Sequence, residues 1–317
     1  MPFPLIRTFS YHCREKYGHV VGKIPLHAGA ICPNRVRGGC IFCRAESFTP
    51  RFLQIEDDIR EQLRKGKRNL TRLKFRQFLG YFQQESCTAL DPARLESLIQ
   101  RVLDDPDCRG VILSTRPDLV PQPLLEKLAP LVARSGKDCL FELGLQSVHQ
   151  KSLELLNRNH RFDDFRDAVG RILAFDCFEA GAHLLLGIPG ESAADMLQSV
   201  RRICRLGIHS LKFHHLQVVK GTVLEKMYQS GTVQMSSVEE YLLLLEKLLL
   251  YIPRNITIHR LWATSRPDLL VAPKWNVLTG SLSGMLRQGL LQKGLRQGLL
   301  AAAENNGKHA AKSPQSR

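Results

Sequence analysis

The 317-residue sequence has no apolar run that could cross a membrane as a helix: its richest stretch, residues 241–252, is broken by Glu246 and Lys247 and falls short of the ~18 apolar residues required. Its opening, MPFPLIRTFS, carries no apolar h-region of the secretory type. Cysteine is neither paired in number nor dense: nine are scattered over a chain too long to need disulfide staples. These absences point to a reduced compartment, so a cytoplasmic protein with no membrane association is expected. A second Cys-x-x-Cys pair and a His-x-x-x-His run are also missing, which leaves a four-ligand structural zinc site without an evident fourth group. With 44% apolar residues against 24% charged, disorder throughout is excluded and the chain is long enough for a large core.

Acidic residues are scarce, 30 against 45 Lys and Arg, giving a formal charge of +15, and the excess sits at the ends. Residues 1–80 hold 16 basic and 6 acidic residues and residues 274–317 hold 7 and 1, so the middle carries 22 and 23. A near-neutral centre with two basic ends is what a catalytic core with polyanion-gripping extensions would show; solubility is the plainer explanation. The run 64–68, Arg-Lys-Gly-Lys-Arg, is the densest part and has a helical, solvated look, with Lys65, Lys67 and Arg68 as candidate phosphate contacts.

Short apolar runs at residues 23–27, 77–82, 110–114, 139–145, 180–186 and 210–214 alternate with segments long enough for one helix each, the signature of parallel βαβ units. Helix starts are marked by Asp91-Pro92, Pro121 and Ser192, and stops by Gly136 and Gly207. Six such units are too few for an eight-stranded barrel, so the expected fold is α/β, a partial (β/α)6 TIM-like barrel with its chemistry at the carboxyl ends of the strands. Ser236 and Ser237 with Glu239 and Glu240 mark the start of a leucine-rich helix, and 256–260 reads as an extra strand. The domain expectation is an N-terminal extension (1–22), a core (23–235), a C-terminal extension (236–300) and a disordered tail (301–317). Leu-Arg-Gln-Gly-Leu occurs at 286–290 and again at 295–299, too few copies for a solenoid.

The sharpest chemical feature is Cys32-Pro-Asn-Arg-Val-Arg-Gly-Gly-Cys40-Ile-Phe-Cys43, directly after the first strand candidate. Cys40 and Cys43 can grip one metal centre, with glycines that let the loop wrap it. Three thiolates suit a cubane iron–sulfur cluster with one iron open to another ligand; a zinc ion completed by Cys13 or a histidine, and unligated thiols, are the alternatives.

A series of further motifs lies in order along the chain. Leu26-His27-Ala28-Gly29 precedes the cysteines, and Tyr81-Phe82-Gln83, Ser114-Thr115-Arg116-Pro117-Asp118, Glu142 to Ser147 with Asn157-Arg158-Asn159-His160, His183 to Glu191, and Lys212-Phe213-His214 come after them. With these motifs the sequence resembles the radical S-adenosylmethionine superfamily, and within it the elongator-like YhcC/YtqA subgroup, from about Tyr17 to Trp275. Ile258-His259-Arg260-Leu261 and Ala272-Pro273-Lys274-Trp275 fit the subgroup's end. Two departures stand out: the Cys32–Cys40 loop is shorter than is usual in the subgroup, and Gln84 to Thr88 replaces a threonine- and tyrosine-rich stretch.

The resemblance implies a 4Fe-4S cluster on Cys32, Cys40 and Cys43 and S-adenosyl-L-methionine on its open iron, cleaved reductively to yield a deoxyadenosyl radical. It also implies cofactor contacts at Gln146 and Arg158, ribose contacts at Thr115 and His183, and an adenine turn at Gly187, Gly190 and Glu191; no catalytic residue is assigned. Electrons would come from a donor such as flavodoxin or ferredoxin, and the expected substrate is tRNA, with the wobble uridine as target. A small molecule or peptide substrate, and a non-catalytic zinc-stabilised RNA-binding module, are the competing readings. Of the remaining cysteines only Cys87, just past the second strand, is a candidate to face a substrate; Glu142, in an apolar strand, is either functional or paired with Arg116; His214 and His215 are read as packing histidines before a proton-donor pair.

Overall fold

The computed structural model describes residues 3–50, 52–54 and 56–301, so all but the first residue of the expected tail lies outside it. Seven strands, β1 (Gly22–Leu26), β2 (Phe78–Phe82), β3 (Cys108–Thr115), β4 (Asp138–Gln146), β5 (Glu179–Leu186), β6 (Ser210–His215) and β8 (Thr257–Arg260), form one sheet in the order β1-β2-β3-β4-β5-β6-β8, every neighbouring pair parallel. This is the α/β partial barrel, with one strand more than six: the extra strand expected near residue 256 joins the sheet beside β6. A small antiparallel ribbon, β7 (Val218–Val219) with β9 (Leu270–Ala272), stands apart from it.

Helices α2 (Ile59–Thr71), α3 (Pro92–Leu103), α4 (Gln122–Ser135), α6 (Phe162–Leu173), α7 (Ala193–Cys204) and α9 (Val238–Leu249) follow successive strands, with the short α5 (Gln150–Leu155) and α8 (Val223–Gln229) in connections and α10 (Thr279–Gln292) near the end. Their starts follow local chemistry: Asp91 accepts from the Arg94 amide at 3.0 Å to cap α3, and Ser192 with Asp195 and Ser237 with Glu240 form reciprocal capping boxes for α7 and α9. Gly136 ends α4 in the left-handed conformation, at φ 62°. Apolar faces of these helices bury Leu95, Ile99, Leu125, Leu128, Val200 and Leu245 against the outer sheet face in the main core.

Period-two alternation sends the other strand face inward. Leu79 and Tyr81, Ile112 and Leu140 form an inner cluster with Cys13 and Val21, against which Phe9 and Tyr17 of α1 (Phe9–Tyr17) pack. Tyr17 donates to Asp138, the first residue of β4, and Lys16 pairs with Asp138 at 2.8 Å and with Glu179, the first residue of β5, at 3.3 Å. The N-terminal helix therefore closes the floor of the half-barrel, at the amino ends of the strands.

Candidate active site

The carboxyl ends of the strands surround a cavity of about 180 Å³ lined by residues from the loop after β1 round to β8. Cys32, Cys40 and Cys43 all lie on its wall. The loop that carries them begins with a 3₁₀ turn, Pro33–Arg37, and turns back through Gly38 and Gly39 at φ 86° and 70°, conformations open to glycine; the Cys43 amide then donates to the Cys40 carbonyl at 3.0 Å.

Polar clamps fix this loop from two sides. Glu85, after β2, accepts from the Cys32 amide at 3.1 Å and pairs with Arg35 at 2.5 Å. On the other side, Asn157 donates to the carbonyls of Arg37 at 2.9 Å and Gly39 at 2.6 Å, and Asn159 donates to Asn34 at 2.7 Å. Asn34 in turn donates to the Cys40 sulfur at 3.3 Å, as does Arg158 at 3.2 Å. The Asn157–His160 segment is itself held by Arg116, which donates to the carbonyls of Arg158 at 2.7 Å and Asn159 at 3.0 Å while its Nε bonds Asp118 at 3.0 Å. The segment beyond Cys43 reaches across the open side of the half-barrel: Arg44 donates to the Lys220 carbonyl at 2.8 Å, and the Ser47 carbonyl accepts from the Arg266 amide at 2.8 Å.

Two buried polar atoms among the cavity-lining residues have no partner among the described residues: the Gln146 side-chain oxygen and His183 Nε2. Gln146 closes β4 with φ 73°, an unusual conformation for a non-glycine residue. At Gly144 a side chain would crowd Arg158 Nη2 at 3.3 Å and Gln146 Nε2 at 3.4 Å, so glycine keeps this wall open. Unmet acceptors and donors on a cavity wall are what a polar ligand would satisfy. Thr115, also on the wall, bonds Thr88 at 2.5 Å.

The sequence-expected residues separate into two groups. Cys32, Cys40, Cys43, Thr115, Gln146, Arg158 and His183 come together around the cavity. Gly187, Gly190 and Glu191 do not line it: Gly187 and Gly190 adopt φ 84° and 85° in the turn after β5, and Glu191 accepts a hydrogen bond from Ser147. Cys87 faces the main core, fully buried, and its burial pushes the thiol up to about 12, so it does not face a substrate. Cys13 is part of the floor cluster and is not available to complete a zinc site at the cysteine loop. Among the described residues no three His, Cys, Asp or Glu side chains converge closely enough for one metal ion. Cys32, Cys40 and Cys43 nevertheless share one wall of the cavity. Lys65 is paired with Asp57 at 2.7 Å and Lys67 with Asp105 at 2.5 Å, leaving Arg68 as the member of that expected phosphate-binding trio not committed to either carboxylate.

Sequence reasoning did not assemble the buried group at the inner end of the cavity, where Tyr81 and Lys212 are part of the lining. Glu142 pairs with Lys212 at 2.8 Å, and Tyr81 hydrogen-bonds both; Arg116, the alternative partner, is engaged elsewhere. Burial works against the Glu142 charge, but Lys212 and Lys23 nearby hold its carboxyl down at about 2. Burial wins at the cations: Lys212 is pushed down to about 7 and Lys23 to about 8, because one carboxylate serves more than one ammonium. Only tertiary register reveals this, since Tyr81 and Lys212 are 131 positions apart.

Family models match the Radical SAM superfamily over residues 28–203 and the Radical_SAM C-terminal domain over residues 208–284. Protein YhcC of Escherichia coli K12 is 32% identical over 275 residues, 86% of this chain and 87% of its own length. YtqA of Bacillus subtilis is 30% identical over 94% of this chain and 95% of its length. A shorter likeness, 26% over 39% of this chain and 26% of the relative, is to the tRNA uridine(34) acetyltransferase of Dehalococcoides mccartyi. Among solved structures, Elp3 of Methanocaldococcus infernus superposes with a TM-score of 0.66 at 18% identity, covering 87% of this chain and 64% of that one, a likeness of fold. With that family model running from the foot of the cysteine loop through α7, and with relatives matched over most of their length, the chain belongs to the radical SAM superfamily and is a radical SAM enzyme.

Proposed function

We propose that this enzyme holds a 4Fe-4S cluster on Cys32, Cys40 and Cys43, binds S-adenosylmethionine along the wall formed by Thr115, Gln146, Arg158 and His183, and acts on tRNA, with the wobble uridine as target. The observation that carries the reading is the convergence of three loop thiols and two unpartnered buried polar atoms, Gln146 Oε1 and His183 Nε2, on one cavity. When bound, the cluster and S-adenosylmethionine together supply a deoxyadenosyl radical, with an electron from a donor such as flavodoxin or ferredoxin. The chain's own work is positional. Arg158 and Asn34 aim N–H groups at the Cys40 sulfur, which stabilises electron density on a sulfur ligand and tunes its potential. The Glu85 and Arg116 clamps hold the loop rigid, and α1 keeps water from entering through the floor.

Support for tRNA comes from the name of the acetyltransferase relative and from the two basic chain ends. The direct test is deoxyadenosine release by the anaerobically reconstituted protein given S-adenosylmethionine and dithionite. Release from the parent, and none from a Cys40→Ala, Cys43→Ala variant, is the expected result; a parent that carries iron and sulfide yet releases none, with or without tRNA, would sink the reading. For the substrate, tRNA affinity should fall steeply as salt rises and weaken on Arg68→Glu, whereas salt-independent or absent binding argues for a smaller substrate.

A further inference from the structure

The interior rungs of the sheet carry a charge imbalance that the cofactors do not explain. Parallel register places Gly144 opposite His183, His183 opposite Lys212, and Lys212 opposite Arg260. His183, Lys212, His214 and Arg260 all line the cavity. Arg260 bonds neutral groups, His214 Nδ1 at 2.9 Å and the Phe213 carbonyl at 3.4 Å, and among the described residues it has no carboxylate within ion-pair distance. The other cavity-lining cations are committed: Arg35 to Glu85, Arg116 to Asp118, Lys212 to Glu142, and Arg158 to the Cys40 sulfur and the Gly144 carbonyl at 2.5 Å. His214 stacks on His183, the residue assigned above to the S-adenosylmethionine wall, with ring centroids 5.5 Å apart.

A buried guanidinium without an anion is costly, and the neighbouring groups register the same deficit. Burial, then Arg260 and Lys212 nearby, hold the His183 and His214 rings neutral, well below the ordinary histidine range. Glu142 is the carboxylate that acts on Arg260, and it is paired with Lys212, so this end of the cavity is short of negative charge. A neutral imidazole can donate one N–H, and Arg260 offers forked donors, so the group that fits is compact and anionic.

We infer that Arg260, with Lys212 and His214 beside it, forms a substrate-anchoring site for an anionic group, a carboxylate or a phosphate, separate from the position of S-adenosylmethionine. This rests on the reading of the cavity as the active site and adds to it the charge of the substrate: the molecule attacked brings its own anion into the half-barrel. Within a tRNA the anion is either a backbone phosphate beside the target nucleotide or a carboxylate on the base itself.

The test is binding without turnover, so that it stands or falls apart from deoxyadenosine release. Acetate and inorganic phosphate are titrated in turn into the full-length, cluster-loaded protein at fixed ionic strength, and the rise in melting temperature is read as a binding isotherm. The parent and the Arg260→Gln, Arg260→Lys and Arg134→Gln variants are compared, each with and without S-adenosylmethionine; Arg134 is an exposed cation of α4 away from the cavity. Saturable stabilisation of the parent is expected, weakened about tenfold or more in Arg260→Gln by loss of a charge-assisted pair, largely restored in Arg260→Lys and unchanged in Arg134→Gln. Response to acetate alone marks a carboxylate and response to phosphate alone a phosphate. The inference is overturned if neither anion saturates, if Arg260→Gln binds like the parent, if Arg134→Gln loses as much, or if S-adenosylmethionine abolishes the response, which would make the site the cofactor's own.

Discussion

Arg116 is the place where stability and the cysteine loop are most directly coupled. Its side chain is almost wholly buried and donates to two backbone carbonyls, those of Arg158 and Asn159, besides meeting Asp118. Arg116→Met fills similar space and removes every donor. A carbonyl left buried without a partner costs ~1–3 kcal/mol; taking about 2 kcal/mol for Arg158, whose bond is buried, and about 1 kcal/mol for the partly buried Asn159, the loss comes to about 3 kcal/mol. The Asp118 pair adds under ~1 kcal/mol, since its carboxylate is a third exposed. Urea unfolding of the reduced, cluster-free protein reads the sum, with Asp118→Asn as the control that removes only the smaller part. Arg116→Met should also lower the iron retained per chain after reconstitution, because Arg158 and Asn159 lose the support that presses them on the cysteine loop. A cost for Arg116→Met below about 1 kcal/mol, or equal to that of Asp118→Asn, would refute the reasoning.

Glu142→Gln strands Lys212 in the interior and should cost on the order of 3 kcal/mol at pH 6 but less at pH 9, where Lys212, already pushed down to about 7, sheds its proton in parent and variant alike; equal costs at the two pH values would contradict this. At Gly110 a Cβ would collide with the Asp138 carbonyl on the next strand, so Gly110→Ala should lose about 3 kcal/mol in urea melts, and a neutral result would mean the β3–β4 spacing yields easily. His160 and His215 are buried and held down at about 3, so the folded chain stays neutral there while the unfolded chain takes up protons below pH 6.5. Stability should therefore fall as pH drops from 6.5 toward 3, by about 1.4 kcal/mol per pH unit for each such histidine, and His215→Gln should reduce the slope of urea midpoint against pH; an unchanged slope would show that His215 is not one of the groups responsible.

The strands of the half-barrel were legible because a parallel sheet covered by helices writes itself as short apolar runs at helix-length intervals, and caps such as Ser192 and Ser237 act on their own neighbours. The cysteine loop was legible for a similar reason: its ligand spacing is local. Anything made by register stayed hidden. Glu142 was visible as an odd carboxylate in an apolar strand, but its partner was Lys212, two strands away and two residues beyond its own rung through Gly181 and Ser210, not Arg116, because side chains reach across the sheet's inner face without regard to sequence distance. The repeated Leu-Arg-Gln-Gly-Leu shows the same limit. The first copy lies in α10 with Gln288 exposed; the second is outside the helix, where the fully buried Gln297 accepts from the Arg7 amide at 2.8 Å and donates to the Pro253 and Ile256 carbonyls at 2.9 and 2.8 Å. Identical pentapeptides thus take different structures because their surroundings differ.

The short N-terminal helix lies across the amino ends of the strands and the cavity lies at their carboxyl ends, so the two ends of the half-barrel are divided between holding and opening. Nine residues, Phe9–Tyr17, tie β4 and β5 together through Asp138 and Glu179 and contribute nothing to the cavity's lining, so substitutions there should be felt in stability before they are felt at the cavity.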